Sequence, residues 1–152
     1  MTTLDNNVFH NITIWTGMAA WFLAQFLKLL FFAIRNRSFD PAFLFRLGGM
    51  PSSHSASVCA AATSIGLLCG FGSPIFAVAF GLAMLVMIDA QSVRRAAGQQ
   101  ARLLNQIVDE MFKTHRFSQE KLVEFLGHTR IEVLFGMVLG IATALFIHAF
   151  WG

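Results

Sequence analysis

Apolar residues form four long stretches along this chain, and the polar residues gather between them. The first stretch, Val8 to Ile34, has Trp15 and Trp21 toward one end and Gln25 and Lys28 toward the other. A helix needs about 20 residues to cross hydrocarbon, so this run can cross and still project a turn or two. The second run, Ser55 to Gly70, is rich in Ala, Ser and Gly, which let membrane helices approach closely. Gly70-Phe71-Gly72-Ser73-Pro74 is a tight uncharged turn, and a third run extends from Ile75 to Ile88 before Asp89. Beyond it Val93, Ala97, Ala101, Leu104, Val108 and Met111 recur at helical spacing, which predicts continued helix past the hydrocarbon. After a polar break at residues 113–116, Ser118 can cap a short helix that Gly127 ends. Thr129-Arg130-Ile131-Glu132 has capping-box form and opens the last run, Ile131 to Trp151.

These runs predict an all-α, integral-membrane helical bundle formed by residues 1–152 as a single membrane domain. Four transmembrane helices are expected at about 8–34, 54–70, 74–90 and 130–151. One or two further helical pieces between 91 and 126 are expected at the cytoplasmic interface. Composition agrees: 56% of residues are hydrophobic, only 12% are charged, and the mean hydropathy is +0.63. Cys59 and Cys69 lie in one apolar run and read as small buried hydrophobes rather than a disulfide framework or a metal site.

Charge orients the bundle. All eleven Lys and Arg lie between Lys28 and Arg130, and none lies in the 70–74 turn or near either terminus. By the positive-inside rule both Arg-rich loops are cytoplasmic and both termini outside. The bacterial inner (plasma) membrane is the expected location. The basic residues follow membrane side rather than a groove-binding face, so nucleic acid is not an expected partner. Residues 1–7 carry Asp5 and no basic residue, so the first span is expected to be retained rather than cleaved as a signal peptide.

The candidate chemistry centres on Gly48-Gly49-Met50-Pro51-Ser52-Ser53-His54-Ser55, a polar loop opening an apolar helix. The glycines allow a turn, Pro51 suits a first helical turn, and the serines can cap. A helix N-terminus favours phosphate-like charge, and His54 can give or take a proton near neutral pH. Lys28 and Arg35, about two turns apart, lie on nearly the same face of one helix. Lys28 either snorkels to the interface or sits in a polar pocket. Arg94 and Arg95 follow the third span, and His128 with Glu132 precedes the fourth. Each expected cytoplasmic helix end therefore carries a phosphate-compatible group, and an empty site should hold Asp89 or Glu132 among its cations.

In this order the residues resemble the type 2 phosphatidic acid phosphatases, related to the vanadium haloperoxidases, and most closely their divergent small-membrane-protein branch. That family's Lys-x6-Arg-Pro motif matches Lys28 to Arg35, with Asn36 in place of proline. Its Pro-Ser-Gly-His motif matches Pro51-Ser52-Ser53-His54, with serine in place of glycine. Its Ser-Arg-x5-His-x3-Asp motif is split: Arg94 or Arg95 stands for the arginine, and His128 with Glu132 for His-x3-Asp, more than thirty residues on. The runs 89–98 and 126–133 resemble the divergent branch.

The resemblance implies a membrane phosphatase that hydrolyses a lipid phosphate monoester, or a polyprenyl phosphate or diphosphate, at the cytoplasmic face without a metal or other cofactor. His128 is then the nucleophile that forms a phosphohistidine, Glu132 its orienting carboxylate, and His54 the acid. Lys28, Arg35, Ser52, Ser53 and one of Arg94 and Arg95 form the phosphate cradle. Asp89 either pairs with an arginine or joins the site. The partners implied are the lipid phosphate and membrane lipids, and a homo-oligomer is left open. The alternatives are a non-enzymatic lipid-phosphate binding or transport protein and a small structural partner in a membrane complex. A serine nucleophile paired with His54 is disfavoured, because adjacent residues seldom reach that geometry and no third group is evident.

Overall fold

In the computed structural model, which describes residues 7–37, 49–111 and 128–151, every long apolar run is a helix. A 3₁₀ turn at Val8–His10 precedes α1 (Ile12–Asn36), followed by α2 (Ser53–Cys69), α3 (Pro74–Gln91), α4 (Val93–Met111) and α5 (Arg130–Trp151). There is no strand among the described residues. Three helical stretches, Ile12–Ile34, Pro74–Gln91 and Arg130–Phe150, are long and apolar enough to cross a membrane, and Ser53–Cys69 is a shorter apolar helix. The short helix expected after Ser118 lies outside the described residues.

Side-chain caps fix the helix starts. Asn11 Oδ1 accepts from the N–H groups of Thr13 and Ile14, so α1 begins at Ile12 and not at residue 8. Ser73 caps α3 with Pro74 in the first turn, and its hydroxyl donates to the Gly70 carbonyl across the tight turn. Ser52 caps α2 through the Ser55 N–H, which places Pro51 before the cap rather than in the first helical turn expected for it. The Met50–Pro51 peptide is cis and Gly49 has φ +87°. The helical pattern expected to run on past Asp89 is interrupted at Ser92, whose N–H and hydroxyl both donate to the Ile88 carbonyl. Its hydroxyl competes with the backbone ladder there, and α3 and α4 are separate helices.

The core is made of small residues. α2 lies centrally and packs against α1, α3 and α5. Ala20 and Ala24 of α1, Ala56 and Ala60 of α2, and Ala144 of α5 are fully buried together. Gly136 and Gly140 lie one turn apart on α5, and a methyl at either would run into the α2 backbone at Ser52 or Ala56. The large side chains face outward: Phe22, Phe26, Val78, Leu85 and Phe146 are each more than half exposed. Small residues inside and large apolar residues outside are the arrangement of helices that meet lipid.

A polar layer crosses the bundle at the end remote from Ser52. The Ser64 hydroxyl, fully buried, lies 3.0 Å from Thr13 Oγ1 and 2.8 Å from His148 Nε2. It joins α1, α2 and α5.

Candidate functional site

The opposite end of the bundle assembles from the starts of α2 and α5, Lys28 of α1 and the last turn of α3. The N–H of Ser52 donates to the Glu132 carbonyl at 3.0 Å, tying the α2 start to the first turn of α5. The N–H of His128 donates to the Ala90 carbonyl at 3.1 Å, which holds the residue before α5 on the end of α3. These backbone bonds bring His128 beside His54 despite the long chain segment between them. The imidazole centroids are 6.4 Å apart with the rings tilted by 58°.

His128 is buried, at 4% exposure, and its Nδ1 lies 3.0 Å from Glu132 Oε2. An ionised carboxylate only accepts, so Nδ1 carries the hydrogen of this contact. The same Oε2 accepts from the Thr129 N–H at 3.0 Å, while Thr129 Oγ1 accepts from the Glu132 N–H at 3.3 Å. The capping box read from the sequence is therefore formed, and its carboxylate also grips the imidazole.

Lys28 is 5% exposed and does not snorkel. Its ammonium donates to Ser53 Oγ at 3.3 Å, and the Glu132 carboxylate acts on it electrostatically. A buried cation thus lies against the first turn of α2, where backbone N–H groups and the dipole favour an anion. Ser52, Ser53 and Ser55 are buried, and the Ser55 hydroxyl donates to Ser52 Oγ at 3.1 Å.

The described geometry thus brings together Lys28, Ser52, Ser53, His54, His128 and Glu132. Asp89 is half-buried on the last turn of α3, next to the Ala90 carbonyl that holds His128. The side chains of Arg35, Arg94 and Arg95 lie outside the described residues. A cavity of about 200 Å³ opens beside His128 and is lined also by Ile88, Gln91, Ser92 and Arg130. Arg130 is absent from the cations expected at the site, where it reads as an orientation charge. Its adjacency to a capping box opening onto His128 is the sequence signal that marks it. The Gly136-x3-Gly140 spacing on α5 is likewise a readable signal for the close approach that fixes Ser52.

The sequence pattern of the Divergent PAP2 family matches residues 9–143. This chain belongs to that family. An uncharacterized membrane protein of Bacillus subtilis (strain 168), YuiD, is 37% identical to it, covering 93% of this chain and 96% of the relative. No solved structure matches the chain. The Divergent PAP2 match takes in Lys28 through Glu132, so every residue that the motifs nominate falls within the family's extent. The resemblance drawn from Lys28–Arg35, Pro51–His54 and His128–Glu132 is to the family that the match identifies. With its apolar helices and this relative, the Divergent PAP2 chain is a membrane protein.

Proposed function

We propose that this protein is an integral-membrane lipid phosphate phosphatase, a four-span bundle whose site faces the cytoplasm and whose nucleophile is His128. The observation that carries this reading is the Glu132-held imidazole of His128 facing His54 at 6.4 Å. A histidine that attacks phosphorus and a histidine that protonates the departing oxygen must flank one phosphoryl group, and these two imidazoles are neighbours at one end of the bundle.

In the first step His128 Nε2 attacks phosphorus, the bond from phosphorus to the alcohol oxygen breaks, and His54 gives its proton to the departing oxygen. Glu132 stabilises the positive charge that forms on the His128 ring. In the second step water attacks the phosphohistidine, His54 takes the water's proton, and the nitrogen–phosphorus bond breaks to release orthophosphate. Lys28, Ser52, Ser53 and the α2 N-terminus hold the phosphoryl oxygens, with Arg35 and one of Arg94 and Arg95 completing the cradle. Phosphoryl transfer asks mainly for this positioning and charge neutralisation. Asp89, next to the Ala90 carbonyl that holds His128, either pairs with an arginine or joins the site.

Ser53 supports a second reading, that of a non-enzymatic lipid-phosphate binder. Its hydroxyl engages Lys28 at the position where the family motif has glycine and backbone meets phosphate. Phosphate release by the purified full chain in detergent separates the two readings, assayed against phosphatidate, phosphatidylglycerol phosphate and polyprenyl phosphates. The phosphatase releases orthophosphate from at least one substrate, and His128→Ala abolishes release while retaining lipid binding. Turnover retained in His128→Ala overturns the phosphohistidine mechanism, and no turnover by the wild type with any of the three leaves the binder.

A further inference from the structure

Ser52, Ser53 and Ser55 open α2, and the structure gives each a different task. Ser52 is the cap, its Oγ accepting from the Ser55 N–H, and the Ser55 hydroxyl donates to the same oxygen. Ser53 is the first helical residue, so its side chain is not needed to cap the helix. Its hydroxyl is turned to α1 instead, where Oγ accepts from the Lys28 ammonium at 3.3 Å. Both side chains are buried.

That bond fixes where the ammonium points. Glu132 acts on Lys28 electrostatically, but its carboxylate is held by His128 Nδ1 and the Thr129 N–H. Among the described residues no carboxylate pairs with Lys28 at ion-pair distance. A lysine has a flexible four-carbon stem, and near the end of a membrane span it ordinarily carries its charge out to the headgroups. Here the stem is drawn inward to the start of α2. One bond to Ser53 leaves the ammonium two more donors for an anion at that helix N-terminus.

We propose that Ser53 is a positioning residue: it holds Lys28 against the start of α2 and acts on the anion through that cation. This rests on the phosphatase reading for the identity of the anion, and it sets Ser53 one step back from the phosphoryl oxygens. Ser53 does not line the cavity beside His128. A hydroxyl acts only on contact, whereas a charge in surroundings of low dielectric acts across a gap. The glycine that the family motif has at this position offers no side chain to hold a cation. Serine there is a tether for Lys28 and not an obstruction to phosphate.

Anion binding tests the assignment without requiring turnover. Orthophosphate and vanadate are titrated into the purified full chain in detergent, as wild type, Ser53→Ala, Ser53→Gly and Ser53→Thr, each with Lys28 intact and with Lys28→Met. With Lys28 intact, Ser53→Ala and Ser53→Gly should weaken both anions about three- to tenfold. Ser53→Thr keeps the hydroxyl and should stay within about twofold of the wild type. On the Lys28→Met background all three changes should alter affinity by less than about twofold, because the hydroxyl then has no cation to hold. Ser64→Ala, in the polar layer at the far end of the bundle, should leave affinity unchanged.

An equal loss from Ser53→Ala with and without Lys28 would put the hydroxyl on the anion itself and overturn the proposal. Full affinity in both Ser53→Ala and Ser53→Gly, or a loss in Ser53→Thr as large as in Ser53→Ala, would overturn it too. Losses confined to the Lys28-intact proteins, with no phosphate release from any lipid phosphate, would sink the phosphatase reading and keep Ser53 as the holder of Lys28. Phosphate release with equal losses on both backgrounds would sink the Ser53 assignment alone. A wild type that binds neither anion would sink the assignment together with the anion site.

Discussion

Glu132 and Ser52 are joined through backbone alone: the Ser52 N–H donates to the Glu132 carbonyl at 3.0 Å, while the Glu132 side chain turns the other way to His128 and Thr129. One residue therefore locates the start of α2 and orients the imidazole by separate groups, and substitution can remove the second role without the first.

Glu132→Gln should do this. The amide oxygen can still accept from the Thr129 N–H, so the cap survives and the loss of stability stays below about 1 kcal/mol. The imidazole loses its ionised acceptor, and kcat should fall about 10²–10⁴-fold. Thermal unfolding alongside phosphate-release kinetics checks both. A large drop in melting temperature with kcat little changed would make Glu132 a cap and nothing more.

His54→Ala should cost turnover in proportion to how poor the leaving group is. An acid that protonates a departing alcohol contributes about 10²–10⁴-fold, and p-nitrophenolate needs no such help. The ratio of rates on a natural lipid phosphate and on p-nitrophenyl phosphate should drop in the variant. An equal loss on both substrates would assign His54 to binding.

Lys28→Met removes a buried cation without changing the length of the side chain much. Affinity for orthophosphate or vanadate, read by isothermal titration, should fall about tenfold or more, because a buried charge-assisted contact contributes about 1.5–3 kcal/mol. Unchanged affinity would show that Lys28 serves only to hold Ser53.

Gly140→Val places a branched side chain against the Ala56 carbonyl, and no rotamer relieves a clash with backbone. The two helices must separate, at a cost of about 1–3 kcal/mol. Unfolding in detergent should show it, and the motion should also shift Ser52 and lower activity. Ser64→Ala, at the other end, removes the bridge between Thr13 and His148 and should cost about 1 kcal/mol without touching kcat.

Run length and charge placement make the helices legible, because lipid demands apolar stretches of a set size. The Thr129–Glu132 cap was legible for a similar reason, being a local motif with its partners three residues apart. Pro51 was misplaced by two positions, because Ser52, whose N–H is held by the Glu132 carbonyl, takes the cap and leaves the proline before it. The break at Ser92 was hidden because apolar periodicity resumes beyond it. Ser64 and His148 sit in stretches read only as membrane-crossing, and a hydroxyl facing an imidazole across 84 residues leaves no local trace. Arg130 was counted toward topology, although its position inside the capping box that follows His128 marks it for the cavity it lines.

The bond from the His128 N–H to the Ala90 carbonyl has a consequence for how such a chain can change over time. A carbonyl is present whatever residue occupies position 90, so the two ends of the intervening segment meet without a dedicated side chain at that position. Between Arg95 and His128 the length of the chain can then drift, provided that the ends still meet. A motif that is contiguous in the type 2 phosphatidic acid phosphatases can be split by a long insertion here and keep its histidine in place.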